Sequence, residues 1–99
     1  MTQYKKLKYK NGKIYKIVNH KSKKIYYGST CADLPTRLRQ HEIAKNLHEC
    51  ESDKVMTKRG EYSIHLVEKF PCQNKKQLHQ RERYHIERTT NVNKRRPLM

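Results

Sequence analysis

The stretch that decides the fold is residues 12–30, GKIYKIVNHKSKKIYYGST. Its two ends, 12–18 and 24–30, are short runs rich in β-branched and aromatic residues, and a basic loop separates them. This pattern is typical of two antiparallel strands joined by a loop of four or five residues. We therefore expect a β-hairpin at this place.

The register of the hairpin decides which side chains share a face. With 20–23 as the turn, Tyr15 lies opposite Gly28 and Ile17 lies opposite Tyr26. Because side chains alternate along a strand, these four positions share one face, and a slip of one residue would move Tyr26 to the other. Either the tyrosines fill a small core, or the glycine marks a place where another molecule approaches the backbone.

The charge of the chain points to a polyanionic partner. Its 99 residues carry 24 Lys and Arg against 9 Asp and Glu, a formal net charge of +15. So large an excess repels itself and favours binding to a polyanion, with nucleic acid the first choice. A membrane surface is the second choice, but the sequence has no long apolar run or signal peptide to support it.

The length allows one domain with a modest core, and we expect a single domain over residues 1–99. The three cysteines, Cys31, Cys50 and Cys72, form no Cys-x-x-Cys pair. An odd count without such pairs indicates reduced thiols. We therefore expect an intracellular protein, in the cytoplasm or nucleus.

The remaining sequence predicts an α/β fold. In chain order we expect a loose basic arm over 1–11, the hairpin over 12–30, a helix over 34–47, a short helix or loop over 49–60, a strand over 62–70 and a helix over 74–88. This order, β-β-α-(α)-β-α, predicts a small three-stranded antiparallel sheet flanked by helices. On the third strand, alternation places four apolar side chains on one face: Tyr62, Ile64, Leu66 and Phe70.

The helix over 34–47 begins with a capping Asp33 and a proline in its first turn. Apolar residues one turn apart predict its buried stripe: Leu34 with Leu38, and Ile43 with Leu47. Arg37 and His41 are also one turn apart on a neighbouring stripe, which His48 can extend. We therefore expect Arg37 and His41 to point the same way.

The helix over 74–88 begins with Asn74 as its cap and carries an unusual carboxylate. Glu82 falls on the side of the helix that holds Leu78, His85 and Ile86. A carboxylate there loses solvation and needs a cation or hydrogen-bond donors. Two explanations stay open: a buried salt bridge, and a ligand for a divalent metal.

Together these pieces resemble the GIY-YIG endonuclease family over nearly the whole chain. KIY at 13–15 and YYG at 26–28 stand where the two tripeptides of the family lie, with Lys13 in place of the first glycine and Tyr27 at the middle aliphatic position. LPTRLRQH at 34–41 is similar to the helix with the catalytic arginine. RERYHI at 81–86 and NVNKRRP at 91–97 are similar to the helix with the metal-binding glutamate and to the closing asparagine segment.

The resemblance implies a catalytic set: Tyr15, Tyr26, Arg37, His41, Glu82 and Asn93, with Asn93 preferred over Asn91. It implies that Tyr15 acts as general base, that Arg37 neutralises phosphate charge, and that Glu82 holds one Mg²⁺, which Mn²⁺ can replace. His41 would assist the proton transfer or bind phosphate. We expect further substrate contacts from Gly28, whose missing side chain would leave room for the phosphate, and from basic residues: Lys24, Arg39, His48, Lys94 and Arg95.

We therefore predict a metal-dependent DNA endonuclease of low intrinsic sequence specificity, working as a homodimer or with a targeting partner protein. A catalytically silent, basic nucleic-acid-binding module with the same fold is the main alternative. An RNA-binding or ribosome-associated protein also fits the charge, but it gives no reason for Glu82 on an apolar face.

Overall fold

The computed structural model describes residues 8–46, 55–57, 60–89 and 91–93. The described elements are three strands and two helices: β1 (Lys13–Asn19), β2 (Ile25–Thr30), α1 (Leu34–Asn46), β3 (Tyr62–Lys69) and α2 (Lys75–Arg88). The strands form one antiparallel sheet in the order β2-β1-β3. The predicted α/β fold is confirmed, while most of the segment predicted as a short helix or loop lies outside the described residues.

The hairpin has the predicted register. Tyr15 pairs with Gly28 and Ile17 pairs with Tyr26. The turn is closed by the backbone N–H of Asn19, which donates to Lys24 O at 3.0 Å, and Lys23 takes a positive φ of 67°. Odd and even residues of β1 therefore face opposite sides of the sheet.

Each face of the sheet carries one helix and one cluster of buried residues. The α2 cluster consists of Ile14, Tyr27, Leu78 and Ile86. The α1 cluster consists of Tyr15, Ile17, Val55 and Met56, with Leu34 and Leu38 of α1 packed against it. Burial on both faces explains why β1, at the centre of the sheet, is the most apolar strand.

Both helices begin at the capping residues that the sequence predicted. Asp33 Oδ1 accepts a hydrogen bond from the N–H of Thr36 at 3.1 Å, and Asn74 Oδ1 accepts one from Gln77 at 2.9 Å. Such caps satisfy N–H groups that have no partner inside the helix. None of the helices in the described ranges is both long and apolar enough to cross a lipid bilayer.

Two predictions about apolar faces were wrong. Ile43 is 57% exposed, because the buried side of α1 continues from Leu38 to His41 and Ile43 lies about 200° further around the helix. Phe70 packs against the α2 cluster, not on the face of Ile64. A β-bulge causes this second difference: Ile14 pairs with Glu68 while Tyr15 pairs with Leu66, so the extra residue of β3 reverses the alternation beyond it.

The arm predicted over 1–11 is not loose at its end. The carbonyl of Tyr9 accepts hydrogen bonds from the N–H groups of Gly12 and Cys72, at 3.2 and 3.0 Å. The Tyr9 ring packs against the α2 cluster. Residues 1–7 lie outside the described part of the chain.

Asn19 connects the hairpin turn to residues 55–57. Its amide nitrogen donates to Val55 O at 2.7 Å and to Thr57 Oγ1 at 2.9 Å, while its oxygen accepts from the N–H groups of Lys21 and Ser22. The side chain is almost completely buried. One residue therefore both closes the turn and holds Val55 in the α1 cluster.

Replacing Asn19 by Ala should lower the free energy of unfolding by about 3 kcal/mol, because four hydrogen bonds are lost and buried groups are left unpaired. Urea unfolding measures this change. Ser22→Ala is the matched control, since it removes only the exposed bond from Lys24 N to Ser22 Oγ in the same turn. Equal costs for the two variants would contradict the role given to Asn19.

Candidate active site

The hydroxyl of Tyr15 is the centre of a buried hydrogen-bond chain. Arg37 Nε donates to Tyr15 Oη at 3.0 Å, and Tyr15 Oη lies 2.5 Å from His41 Nε2. Tyr15 is completely buried. Arg37 and His41 point the same way from α1, as their spacing of one turn predicted.

One direction in this chain follows from the donors available. The Nε of Arg37 can only donate, so the oxygen of Tyr15 accepts there. The Tyr15 hydroxyl donates to His41 in the tautomer that carries the ring proton on Nδ1, and accepts from His41 in the other tautomer. Burial, and secondly the charge of Arg37, lower the pKa of His41 from 6.5 to about 4, so the ring is neutral at pH 7.

Tyr26 completes the surroundings of His41. The ring centroids of Tyr26 and His41 are 5.4 Å apart at an interplanar angle of 76°, and those of Tyr15 and His41 are 5.7 Å apart at 67°. Both contacts are edge-to-face arrangements, which aromatic rings favour. The hairpin register thus places two tyrosines around one histidine.

Gly28 has a different role from the one predicted. A Cβ at this position would lie 2.5 Å from Cζ of Tyr15 and closer still to its hydroxyl. The space that was expected to receive a phosphate is filled by the Tyr15 ring itself. Glycine is needed here because the phenol crosses the neighbouring strand at van der Waals contact.

Glu82 lies on the opposite face of the sheet, as a mostly buried carboxylate. Ser29 Oγ donates to Glu82 Oε1 at 2.5 Å. Burial raises the pKa of Glu82, while the Ser29 hydrogen bond and the charges of His79 and Arg37 act in the opposite direction. No ion pair within 4 Å involves Glu82 in the described part of the chain, where its hydrogen-bond partner is Ser29.

The two halves of the site meet at the edge strand β2. Gly28 and Ser29 are adjacent and point to opposite faces, one toward Tyr15 and the other toward Glu82. Arg37 affects both halves: it bonds to Tyr15, and its charge opposes the burial that raises the pKa of Glu82. Tyr15, Arg37, His41 and Glu82 are therefore grouped around the end of β2.

Asn93 is bound to the backbone of β2. Its Oδ1 accepts from the N–H of Tyr27 at 2.9 Å, and its Nδ2 donates to Tyr27 O at 2.8 Å. The N–H of Val92 also donates to Ile25 O. Asn93 therefore makes the backbone hydrogen bonds that a neighbouring strand would make with Tyr27. Its observed role is to hold β2 in place.

Lys13, which replaces the first glycine of the motif, holds the loop after β2. Its Nζ donates to the backbone oxygens of Asn11 and Ala32, each at 2.9 Å. Ala32 precedes the capping residue of α1. The substitution thus adds a link between the start of β1 and the helix that carries Arg37.

The remaining predicted substrate contacts are not gathered at this centre. Lys24 is exposed in the turn, about 13 Å of extended strand from Gly28. Arg39 is exposed on α1, about 200° around the helix from Arg37. Three predicted residues lie outside the described part of the chain: His48, Lys94 and Arg95.

Sequence reasoning missed Ser29, the hydrogen-bond donor to Glu82. The signal was present in the alternation of β2, which puts Ser29 on the face opposite Gly28. What was lacking was the position of α2, because nothing in the sequence pattern assigns a helix to a particular face of the sheet.

A metal at this site would depend mainly on Glu82. Within the described ranges, no three His, Cys, Asp or Glu side chains gather closely enough to hold an ion among themselves. A single carboxylate with one oxygen hydrogen-bonded to Ser29 suits a hard cation that keeps most of its water, such as Mg²⁺. The donor set therefore fits such an ion.

Gly28→Ala should destabilise the fold by about 1–3 kcal/mol, because the added methyl overpacks against the Tyr15 ring. In a Tyr15→Leu background, which removes the ring, the same substitution should cost much less. Urea unfolding of the four proteins gives the coupling between the two sites. An equal cost in both backgrounds would show that the contact with Tyr15 is not the reason for glycine.

His41 should make the fold sensitive to acid. The pKa of His41 is lower in the folded protein than in the unfolded chain. Its contribution to the free energy of unfolding is therefore complete above pH 6.5 and is lost as the pH falls to about 4. The loss should reach about 3 kcal/mol, and His41→Gln should remove this part of the pH dependence. Unfolding free energies from pH 7 to pH 4 test this, with the exposed His65→Gln as control. A His41→Gln profile parallel to wild type would contradict it.

Comparison with known proteins identifies the family of the chain. Residues 11–96 match the GIY-YIG catalytic domain. Neither the comparison with curated proteins nor that with solved structures gives a match. Since the matched region covers most of the chain, the resemblance of the two tyrosine motifs is confirmed, and the chain belongs to the GIY-YIG family, whose members are nucleases and are generally metal-dependent.

Proposed function

We propose that this protein is a Mg²⁺-dependent DNA endonuclease that uses Tyr15 as its general base. The observation that carries the proposal is the hydrogen-bond chain from Arg37 through Tyr15 to a neutral His41. A phenol that acts as a general base must pass on its own proton, and a neutral imidazole with Nε2 unprotonated can accept that proton.

Proton transfer is the step for which this chain is suited. An isolated phenol has a pKa near 10 and is a weak base at pH 7. As the attacking water gives a proton to Tyr15 Oη, the tyrosine can pass its own proton to His41 Nε2. The water oxygen then forms its bond to phosphorus, the bond to the 3′ oxygen breaks, and solvent supplies the proton that this oxygen takes up.

Arg37 has two partners in this proposal. Before substrate binds, its Nε bonds to Tyr15 and its Nη1 donates to Gln40 Oε1 at 2.9 Å. A phosphate is a stronger acceptor than a neutral phenol for a guanidinium group. When Arg37 turns to the phosphate, the buried hydroxyl of Tyr15 becomes accessible to the attacking water.

Glu82 is the residue that would hold Mg²⁺, with Mn²⁺ as a possible replacement. The bound ion would supply positive charge for the phosphate and for the departing oxygen. On the protein side, Ser29 fixes one carboxylate oxygen through its 2.5 Å hydrogen bond. The other oxygen of Glu82 is then left to bind the ion.

DNA as the substrate is supported by the net charge of +15. Low sequence specificity is proposed because lysine and arginine contacts to phosphates carry no sequence information. Cleavage of both strands by one small site would require a second copy of the chain or a targeting partner, and we propose this for duplex cleavage only.

The proposal is tested by the nicking of supercoiled plasmid in Mg²⁺. Tyr15→Phe and Arg37→Ala should each reduce the rate about a hundredfold or more, because a proton acceptor and a transition-state cation are lost. Glu82→Gln should be similarly impaired. Matched controls are Glu87→Gln on the exposed side of α2 and Tyr84→Phe, whose ring lies away from Tyr15; both should cleave like wild type.

The outcomes separate the two candidate functions. Wild-type protein that binds plasmid but nicks it in neither Mg²⁺ nor Mn²⁺ would support the catalytically silent module. If Glu82→Gln nicks plasmid at the wild-type rate, Glu82 is not the metal ligand, but the protein is still a nuclease.

A further inference from the structure

Two arginines on the same turn of α2 have different surroundings. Arg81 is paired with Glu68, through Nε at 2.6 Å and Nη2 at 3.1 Å. Arg83 makes no ion pair within 4 Å in the described ranges, and its Nε is buried without a hydrogen-bond partner. A buried donor left unpaired costs about 1–3 kcal/mol, which the guanidinium would recover by turning toward an acceptor.

Arg83 lies in a groove along α2 that is lined by basic and neutral side chains. The groove has a volume of about 410 Å³. Its lining residues are Lys75, Lys76, His79, Gln80 and Arg83. Three of these are permanent cations and none is a carboxylate, so the groove is suited to an anion with several oxygens.

The groove borders the proposed metal ligand. His79 lies one turn before Glu82 on α2, and Arg83 is the residue directly after it. His79 is close enough for its charge to lower the pKa of Glu82. An anion in the groove would therefore sit beside the reacting phosphate.

We propose that this groove, with Lys76, His79 and Arg83, binds the backbone phosphate that neighbours the scissile phosphate on the same DNA strand. The assignment rests on the proposed nuclease function and extends it to the substrate beyond the reacting group. The groove is distinct from the position of the scissile phosphate, which must contact Arg37 and Tyr15 on the other side of β2. Its role is to set the path of the strand across α2.

Two substrates distinguish this role from catalysis. Bis(p-nitrophenyl) phosphate carries one phosphate and cannot fill the groove, whereas a DNA duplex carries the neighbouring phosphate. Arg83→Gln should lower kcat/KM for the duplex about tenfold, mainly through KM, and leave the single-phosphate diester unchanged. Lys76→Gln should act in the same direction, and because Lys76 is exposed, its loss does not endanger folding.

The matched control is Arg88→Gln on the same helix. Arg88 is exposed and stacks 3.8 Å from the Tyr84 ring, outside the groove. The Arg88→Gln substitution removes the same charge as Arg83→Gln and should change the rate of duplex cleavage less than twofold. Equal effects of Arg83→Gln and Arg88→Gln would overturn the proposal in favour of diffuse attraction. Equal loss on both substrates would overturn it in favour of a role in positioning Glu82.

A binding measurement separates the groove from the nuclease activity. With a fluorescent duplex in EDTA, the plot of log affinity against log salt concentration should be shallower by about one unit for Arg83→Gln, and much less changed for Arg88→Gln. If the salt slopes differ in this way but the wild-type protein cleaves no DNA, phosphate binding in the groove is supported and the proposed nuclease function fails. If the wild-type protein cleaves DNA but the two variants have identical salt slopes, the nuclease function is supported and the groove proposal fails.

Discussion

The structure depends on the burial of the Tyr15 phenol across Gly28. A ring that crosses a neighbouring strand at contact distance allows only one register of the hairpin, because any other residue opposite Tyr15 would present a Cβ to the ring. The buried hydroxyl must also be hydrogen-bonded, which fixes α1 at the distance where Arg37 and His41 reach it. One side chain therefore sets both the strand register and the position of the helix.

The alternation of side chains along β2 places the two halves of the candidate site on opposite faces of the sheet. Because Gly28 and Ser29 are consecutive on an edge strand, the proton-accepting half of the site forms on the α1 face and the carboxylate half forms on the α2 face. Val92 and Asn93 bind the backbone of β2 at Ile25 and Tyr27, which precede these two residues. Among the described residues, 92 and 93 thus hold one end of the edge strand, and Gly28 and Ser29 lie toward the other.

The sequence predicted those features that follow from local periodicity. The register, the common direction of Arg37 and His41, and the placement of Glu82 beside Leu78 all depend on spacing within one element or across one short turn. The face of Phe70 could not be predicted, because the bulge near Leu66 arises from pairing with β1, a contact distant in sequence. The role of Gly28 could not be predicted either. A glycine in a strand indicates that some group approaches the backbone closely, but only the three-dimensional structure identifies that group as the Tyr15 ring.

In the proposed reaction, the complete burial of Tyr15 would make Arg37 the residue on which substrate binding and base activation both depend. Its Nε satisfies the phenol only while no phosphate competes for it. His41 stays neutral because it is buried beside this same guanidinium, so the displacement of Arg37 toward a phosphate removes a positive charge that opposes protonation of the imidazole. His41 would then become a better proton acceptor when Tyr15 is exposed to water. A single rotation of Arg37 would therefore couple recognition of the phosphate to both steps of the proposed proton transfer, which would account for the full burial of Tyr15 as the proposed base.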